Sequence, residues 1–117
     1  MILEHALLQV KPGLEGEFEQ AMRDALPLIR ATPGFIRIAV KPCIETRGKY
    51  LLLVEWETLE AHTQGFRGSD RYLEWKRRLH HFYEPFPLVE HYGEAIARAL
   101  PVPIESFRFD RNGKKGS

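Results

Sequence analysis

At 117 residues the chain is long enough for one domain with a real core, and 44% apolar against 28% charged residues places it among soluble globular chains and against disorder. Seventeen basic and 16 acidic residues leave a net charge of +1, so no overall field recruits nucleic acid or an anionic membrane. One cysteine, Cys43, excludes an intramolecular disulfide, no apolar run reaches membrane-spanning length, and no GxGxxG or GxxxxGK offers a phosphate cradle. The opening MILEHALLQV, with Glu4 in its middle, is too short and too polar for a secretion signal, which makes the cytoplasm the default expectation.

Ile2 to Val10 reads as a first strand, with Ile2, Ala6, Leu8 and Val10 alternating against Leu3 and Leu7. A strand apolar on both faces needs cover on both. Lys11-Pro12-Gly13 ends it, and from Leu14 the apolar residues Phe18, Ala21, Met22, Ala25, Leu28 and Ile29 form a helical stripe. Glu15, Glu17 and Glu19 crowd the first turns, where the helix dipole favours carboxylates. Pro27 lacks the amide the ladder needs, so a kink or early end is expected there. Phe35 to Cys43 alternates as a second strand with Ile36, Ile38 and Val40 on one face, and the polar turn Glu45 to Lys49 leads into a third strand, Tyr50 to Trp56.

Most of the chain's aromatic and imidazole groups lie on the stretch from Tyr50 to Trp75 or just after it. Thr58 can cap a short helix over Leu59 to Phe66, although Ala61 supplies no capping-box partner. Gly65 and Gly68 bracket a turn, and Ser69 or Asp70 can cap a second helix whose Tyr72, Trp75, Leu79 and Phe82 recur at helical spacing. Phe82 to Pro87 cannot continue a helix, and Leu88 to Gly93 alternates as a fourth strand. Beyond it, Glu94 to Leu100 reads as a helical turn or two, Pro101-Val102-Pro103 as extended, Ser106 to Asp110 as a short strand, and Asn112 to Ser117 as disordered. The expected boundary separates a domain at 1–96 from an extension at 97–117.

The order β-α-β-β-α-β is the ferredoxin-like split βαβ arrangement, an α+β fold with an antiparallel four-stranded sheet and helices on one face. Its bare face is expected to be covered by a second copy of the chain, as a homodimer.

Three pieces, LLQVKPG before a helix, TPGF before the second strand and above all VEWETLEAHTQGFRGSDRY, resemble the antibiotic biosynthesis monooxygenase (ABM) family of dimeric α/β-barrel proteins over roughly residues 2–95. The resemblance implies a small aromatic substrate, since some members oxidise phenolic or quinol-type compounds with dioxygen and use neither metal nor flavin. Such a substrate, once an anion, passes an electron to dioxygen itself, so the protein need only bind, deprotonate and shield it. No cofactor is expected on that reading. The family's haem-degrading branch is a poorer match: Lys76 falls where its ligand histidine belongs, Phe66 near its pocket tryptophan and Ala6 near its first-strand asparagine.

Histidine suits the base role by its ordinary pKa, and His62, in the presumed cleft, is the catalytic candidate. The plainer reading is a helix-face histidine bonded to backbone or water. Trp56, Phe66, Arg67, Tyr72 and Trp75 are the substrate-binding candidates, each with a packing or solvated alternative: aromatic stripes are commonly core, and turn arginines commonly face water. His5 alternates towards the open face. His80 and His81 project about 100° apart on a helix, and with no HxxxH or CxxC spacing no metal site is expected. The rival to an enzyme is a small-ligand binder or structural dimer that keeps the cavity without the chemistry.

Overall fold

The computed structural model describes residues 1–103. Strands β1 (Ile2–Gln9), β2 (Phe35–Pro42), β3 (Lys49–Trp56) and β4 (Val89–Tyr92) form one antiparallel sheet in the order β2-β3-β1-β4. Helices α1 (Glu15–Arg30) and α2 (Asp70–Leu79) share one core with the sheet's buried side chains, which gives the ferredoxin-like α+β fold. Alternation decides which face is which. On β1 it is Glu4, Ala6 and Leu8 that are buried, and on β3 Tyr50, Leu52, Val54 and Trp56. Leu3, His5, Leu7, Leu51 and Leu53 therefore line the other, open face.

The helix α1 buries Phe18, Met22, Ala25 and Ile29, the spacing of a single stripe. It does not end at Pro27. That residue is exposed, so the Arg23 carbonyl it leaves without an amide lies on the wet side, where water can satisfy it. A bulge between Phe35 and Arg37 corrects the expected alternation of β2. It sends Phe35 to the helix side, edge-on to Trp56 at 5.9 Å, and leaves Ile36 41% exposed.

The helix expected over Leu59 to Phe66 forms, but most of it is a π-helical turn, Ala61–Phe66. Thr58 Oγ1 accepts from the Ala61 amide at 3.1 Å, the cap that the sequence offers. The turn closes with the Arg67 amide donating to the His62 carbonyl at 3.0 Å. Two glycines make room for it. Gly34 has φ +87°, and a Cβ there would meet Ala61 Cβ at 2.7 Å; at Gly68 a Cβ would sit 2.4 Å from the Gln64 carbonyl oxygen. Ser69 then caps α2, accepting from the Tyr72 amide at 3.3 Å, and Trp75 and Leu79 are buried.

Phe82 is buried as expected but on a separate 3₁₀ turn, His80–Phe82, so α2 is one turn shorter than its apolar stripe. The helical turn expected over 94–100 is absent. Ile96 and Leu100 are fully or nearly fully exposed, and a heptapeptide with no packing partner cannot meet the cost of helix nucleation. The strand and disorder expected past residue 104 lie outside the described residues. Among the described residues no helix is long and apolar enough to cross a membrane.

Candidate functional site

The register of the sheet brings the chemistry together. Glu4 on β1 pairs with His91 on β4, while Trp56 on β3 stands opposite Ile2, two residues along on the same face. The π-helical turn then lowers His62 and Phe66 onto Trp56. The imidazole stacks on the indole with ring centres 5.3 Å apart and 18° between planes, and Phe66 lies 6.0 Å from the indole. An ordinary α-turn would bring the His62 and Phe66 side chains round at a different angle, so the widened turn is what seats both rings on one tryptophan.

His62 is 3% exposed and both of its ring nitrogens are engaged. Its Nδ1 lies 2.8 Å from His91 Nε2, and its Nε2 lies 3.3 Å from Glu4 Oε1. The Trp56 indole N–H donates to the same Glu4 oxygen at 3.0 Å. The result is a continuous line from carboxyl to imidazole to imidazole, buried at Glu4 and half-exposed at His91.

Burial dominates the electrostatics. It raises the Glu4 carboxyl above its ordinary value of 4.5 against the lowering pull of the Trp56 bond and of Arg67. Burial, then Arg67, then His91 hold the His62 imidazole down at about 3. His91 is lowered for the same first two reasons. His62 is thus neutral at physiological pH, and a poor lone base. Arg67, exposed at the end of the turn, has no ion pair among the described residues, so its charge is available to an anionic ligand.

A cavity of about 50 Å³ opens beside this line. Glu4, His62, Phe66, Arg67, Tyr72 and Trp75 border it, with His80 and Phe86 closing the far side. Five of the six residues expected from the sequence therefore share one cavity wall, and the sixth, Trp56, lies behind His62 as its stacking partner. Three polar groups were not anticipated: Glu4 and His80 on the wall, and His91 bonded to His62 behind it. Glu4 shows in the sequence only as a carboxylate at an even position of an otherwise apolar strand face, and His91 only as the residue two beyond Val89 in β4, with nothing local to join either to His62. His80 was visible only as a helix-face histidine. His81 is exposed, away from the cavity.

Among the described residues no three His, Cys, Asp or Glu side chains converge to hold a metal. As it stands the space is smaller than a haem macrocycle, as it is smaller than any aromatic ligand, and Ala6, fully buried, has no polar side-chain atom to offer.

The antibiotic biosynthesis monooxygenase family profile matches residues 1–78. An uncharacterised protein, YczJ of Bacillus subtilis (strain 168), is 58% identical over 92 residues, covering 79% of this chain and 97% of its own length. The crystal structure of a candidate antibiotic biosynthesis monooxygenase from Bordetella bronchiseptica superposes with a TM-score of 0.77 at 33% identity, covering 81% of this chain and 97% of that one. A conserved protein from Methanosarcina mazei Go1, at 23% identity and a TM-score of 0.71 over 80% of this chain and 92% of its own, shares the fold.

Proposed function

The chain belongs to the antibiotic biosynthesis monooxygenase family, and we propose that it is a cofactor-independent monooxygenase acting on a small aromatic, quinol-type compound. The observation that carries this reading is the cavity itself, where a buried proton-accepting group and an exposed guanidinium border the same space between aromatic walls. Loss of a phenolic proton leaves an anion that reduces dioxygen directly; one oxygen atom enters the ring, the other leaves as water with the two displaced ring and hydroxyl hydrogens, and the substrate supplies all four electrons by ending as a quinone. Arg67 stabilises the anion, Phe66, Tyr72 and Trp75 form the apolar walls, and the polar line through His62 manages the proton.

The functional unit on this reading is a homodimer with open sheet faces together. Leu7 and Tyr92 on that face are 40% and 48% exposed, and covering it would bury on the order of 2,000 Å² in total. Sedimentation as a stable folded monomer at micromolar concentration contradicts it.

A second reading, a non-catalytic binder, draws support from the volume. About 50 Å³ holds a few waters, whereas sites for drug-sized ligands span about 300–1,000 Å³, so an aromatic substrate requires Tyr72, His80 or Phe86 to move. Oxygen uptake separates the two. Metal- and flavin-free protein should consume dioxygen with a dihydroxyaromatic compound, and His62→Ala should slow this by about 10²–10⁴-fold, the usual share of positioned acid–base groups. No uptake above buffer with any of several quinols favours the binder.

A further inference from the structure

The segment that follows β4 has the composition of a buried stretch and the exposure of a free one. Residues 94–103 read EAIARALPVP, and every one of them is exposed. Ile96 is fully exposed and Leu100 is 88% exposed. Segments that stay in water are normally poor in such side chains, because each one left outside forgoes the gain of burial. The segment is nevertheless tied down where it begins. The Met1 ammonium meets Glu94 at 2.8 Å, and Arg98 lies 3.6 Å from the other Glu94 oxygen. Both charged residues of the segment are thereby paired, and Ala99 to Pro103 carries no charge.

The root of the segment fixes its direction. β4 is an edge strand, and Tyr92, Leu3 and Glu55 stand side by side at one end of the open face. Ala95 and Arg98 border a hollow of about 200 Å³ with Met1, Leu3 and Glu55, so the segment leaves on the open-face side of the sheet and not on the helix side. An uncovered apolar arm is thus rooted at the rim of an uncovered apolar face, and within one chain neither covers the other.

We propose that residues 94–103 are an arm that docks on a second copy of the chain, the arm of each protomer lying across the open face of the other. This rests on the reading of the functional unit as a homodimer, and it adds that the arm, besides the sheet face, holds the two copies together. A two-fold axis makes the contact reciprocal, so each apolar side chain of the arm acts twice per dimer. Pro101 and Pro103 restrict the backbone and carry no amide, so the arm loses less freedom on docking and brings fewer donors that need partners. Docking also gives Ile96 and Leu100 the packing partner that the 94–100 stretch lacks alone.

Sedimentation and isotope-filtered NMR of the full chain test this. In dimers mixed from carbon-13-labelled and unlabelled chains, the Ile96 and Leu100 methyls should show contacts to Leu7 of the partner subunit. Ile96→Ser combined with Leu100→Ser should leave circular dichroism and tryptophan fluorescence unchanged, since neither side chain is buried in the protomer. It should raise the dimer dissociation constant by about 10²-fold or more. A parent dimer whose double variant dissociates at the same concentration overturns the arm and leaves the homodimer standing. Methyl contacts confined to the labelled chain, or Ile96 and Leu100 methyls at unstructured-chain shifts within the dimer, overturn it as well; the latter result means that the arm serves a different partner or none. A parent that sediments as a folded monomer removes the homodimer and the arm's role together.

Discussion

Two hollows lie between the helices and the sheet, and the larger one is chemically the quieter. The groove between α1 and β2, about 380 Å³, is lined by Met22, Leu26, Ile38 and Val40, and its polar groups satisfy one another. Tyr50 donates to Glu19 Oε2 at 2.6 Å, and Arg23 sits 3.6 Å from the other Glu19 oxygen. The phenol, pushed up to about 12 by burial and then by Glu19, stays a donor across the physiological range. The cavity at Glu4 is about 50 Å³, yet it holds a buried carboxyl with no lysine or arginine ion pair among the described residues and a histidine denied its charge. Volume identifies where a ligand could lie. Unrelieved electrostatics identify where the fold tolerates a cost that packing alone would have removed.

The largest effect that sharpens this contrast comes from the wall of the small cavity. Leu79 anchors α2, which carries Tyr72 and Trp75, and it is fully buried. Leu79→Ala should cost about 2–5 kcal/mol in urea denaturation. An unchanged midpoint would mean that α2 does not depend on this contact and that the cavity wall is held some other way.

The next effect is electrostatic and its sign follows from His62. Between pH 6.5 and about 3 the unfolded chain binds a proton at this ring that the folded chain refuses. Stability is therefore lost as pH falls through that window, by up to about 1.4 kcal/mol per unit. Glu4, raised from 4.5, acts the other way, since its contribution is lost as pH rises past that value. His62→Phe should remove the acid-side loss while keeping a ring on Trp56, so parent and variant curves should diverge below pH 6.5. Parallel curves would show that His62 titrates normally. In the groove the smallest change is expected: Tyr50→Phe removes one satisfied hydrogen bond and should cost about 1 kcal/mol without altering oxygen uptake. A loss of uptake as large as that of His62→Ala would move the site to the groove.

The fold was legible because periodicity reports burial, and burial on one side of each element is what this sheet and its helices are made of. Where tertiary context overrode periodicity, the reading slipped: the bulge at Ile36, the exposed proline on α1, the 3₁₀ turn under Phe82 and the unpacked 94–100 segment each depend on neighbours distant in sequence. The aromatic and basic side of the cavity, His62 to Trp75, was legible because it is nearly continuous in the chain. Glu4 and His91 were not, since the β1–β4 register alone brings them together beside His62, across 87 residues.

The contrast between the hollows can be decided by where an aromatic ligand binds. A dihydroxynaphthalene titrated under nitrogen into the metal-free protein should shift the Trp56 indole N–H and the amides of Phe66, Arg67 and Tyr72. Met22, Leu26, Ile38 and Val40 should stay in place. Shifts confined to those four, with the Trp56 indole silent, would put the ligand in the groove and contradict the assignment of the Glu4–His62 cavity as the site.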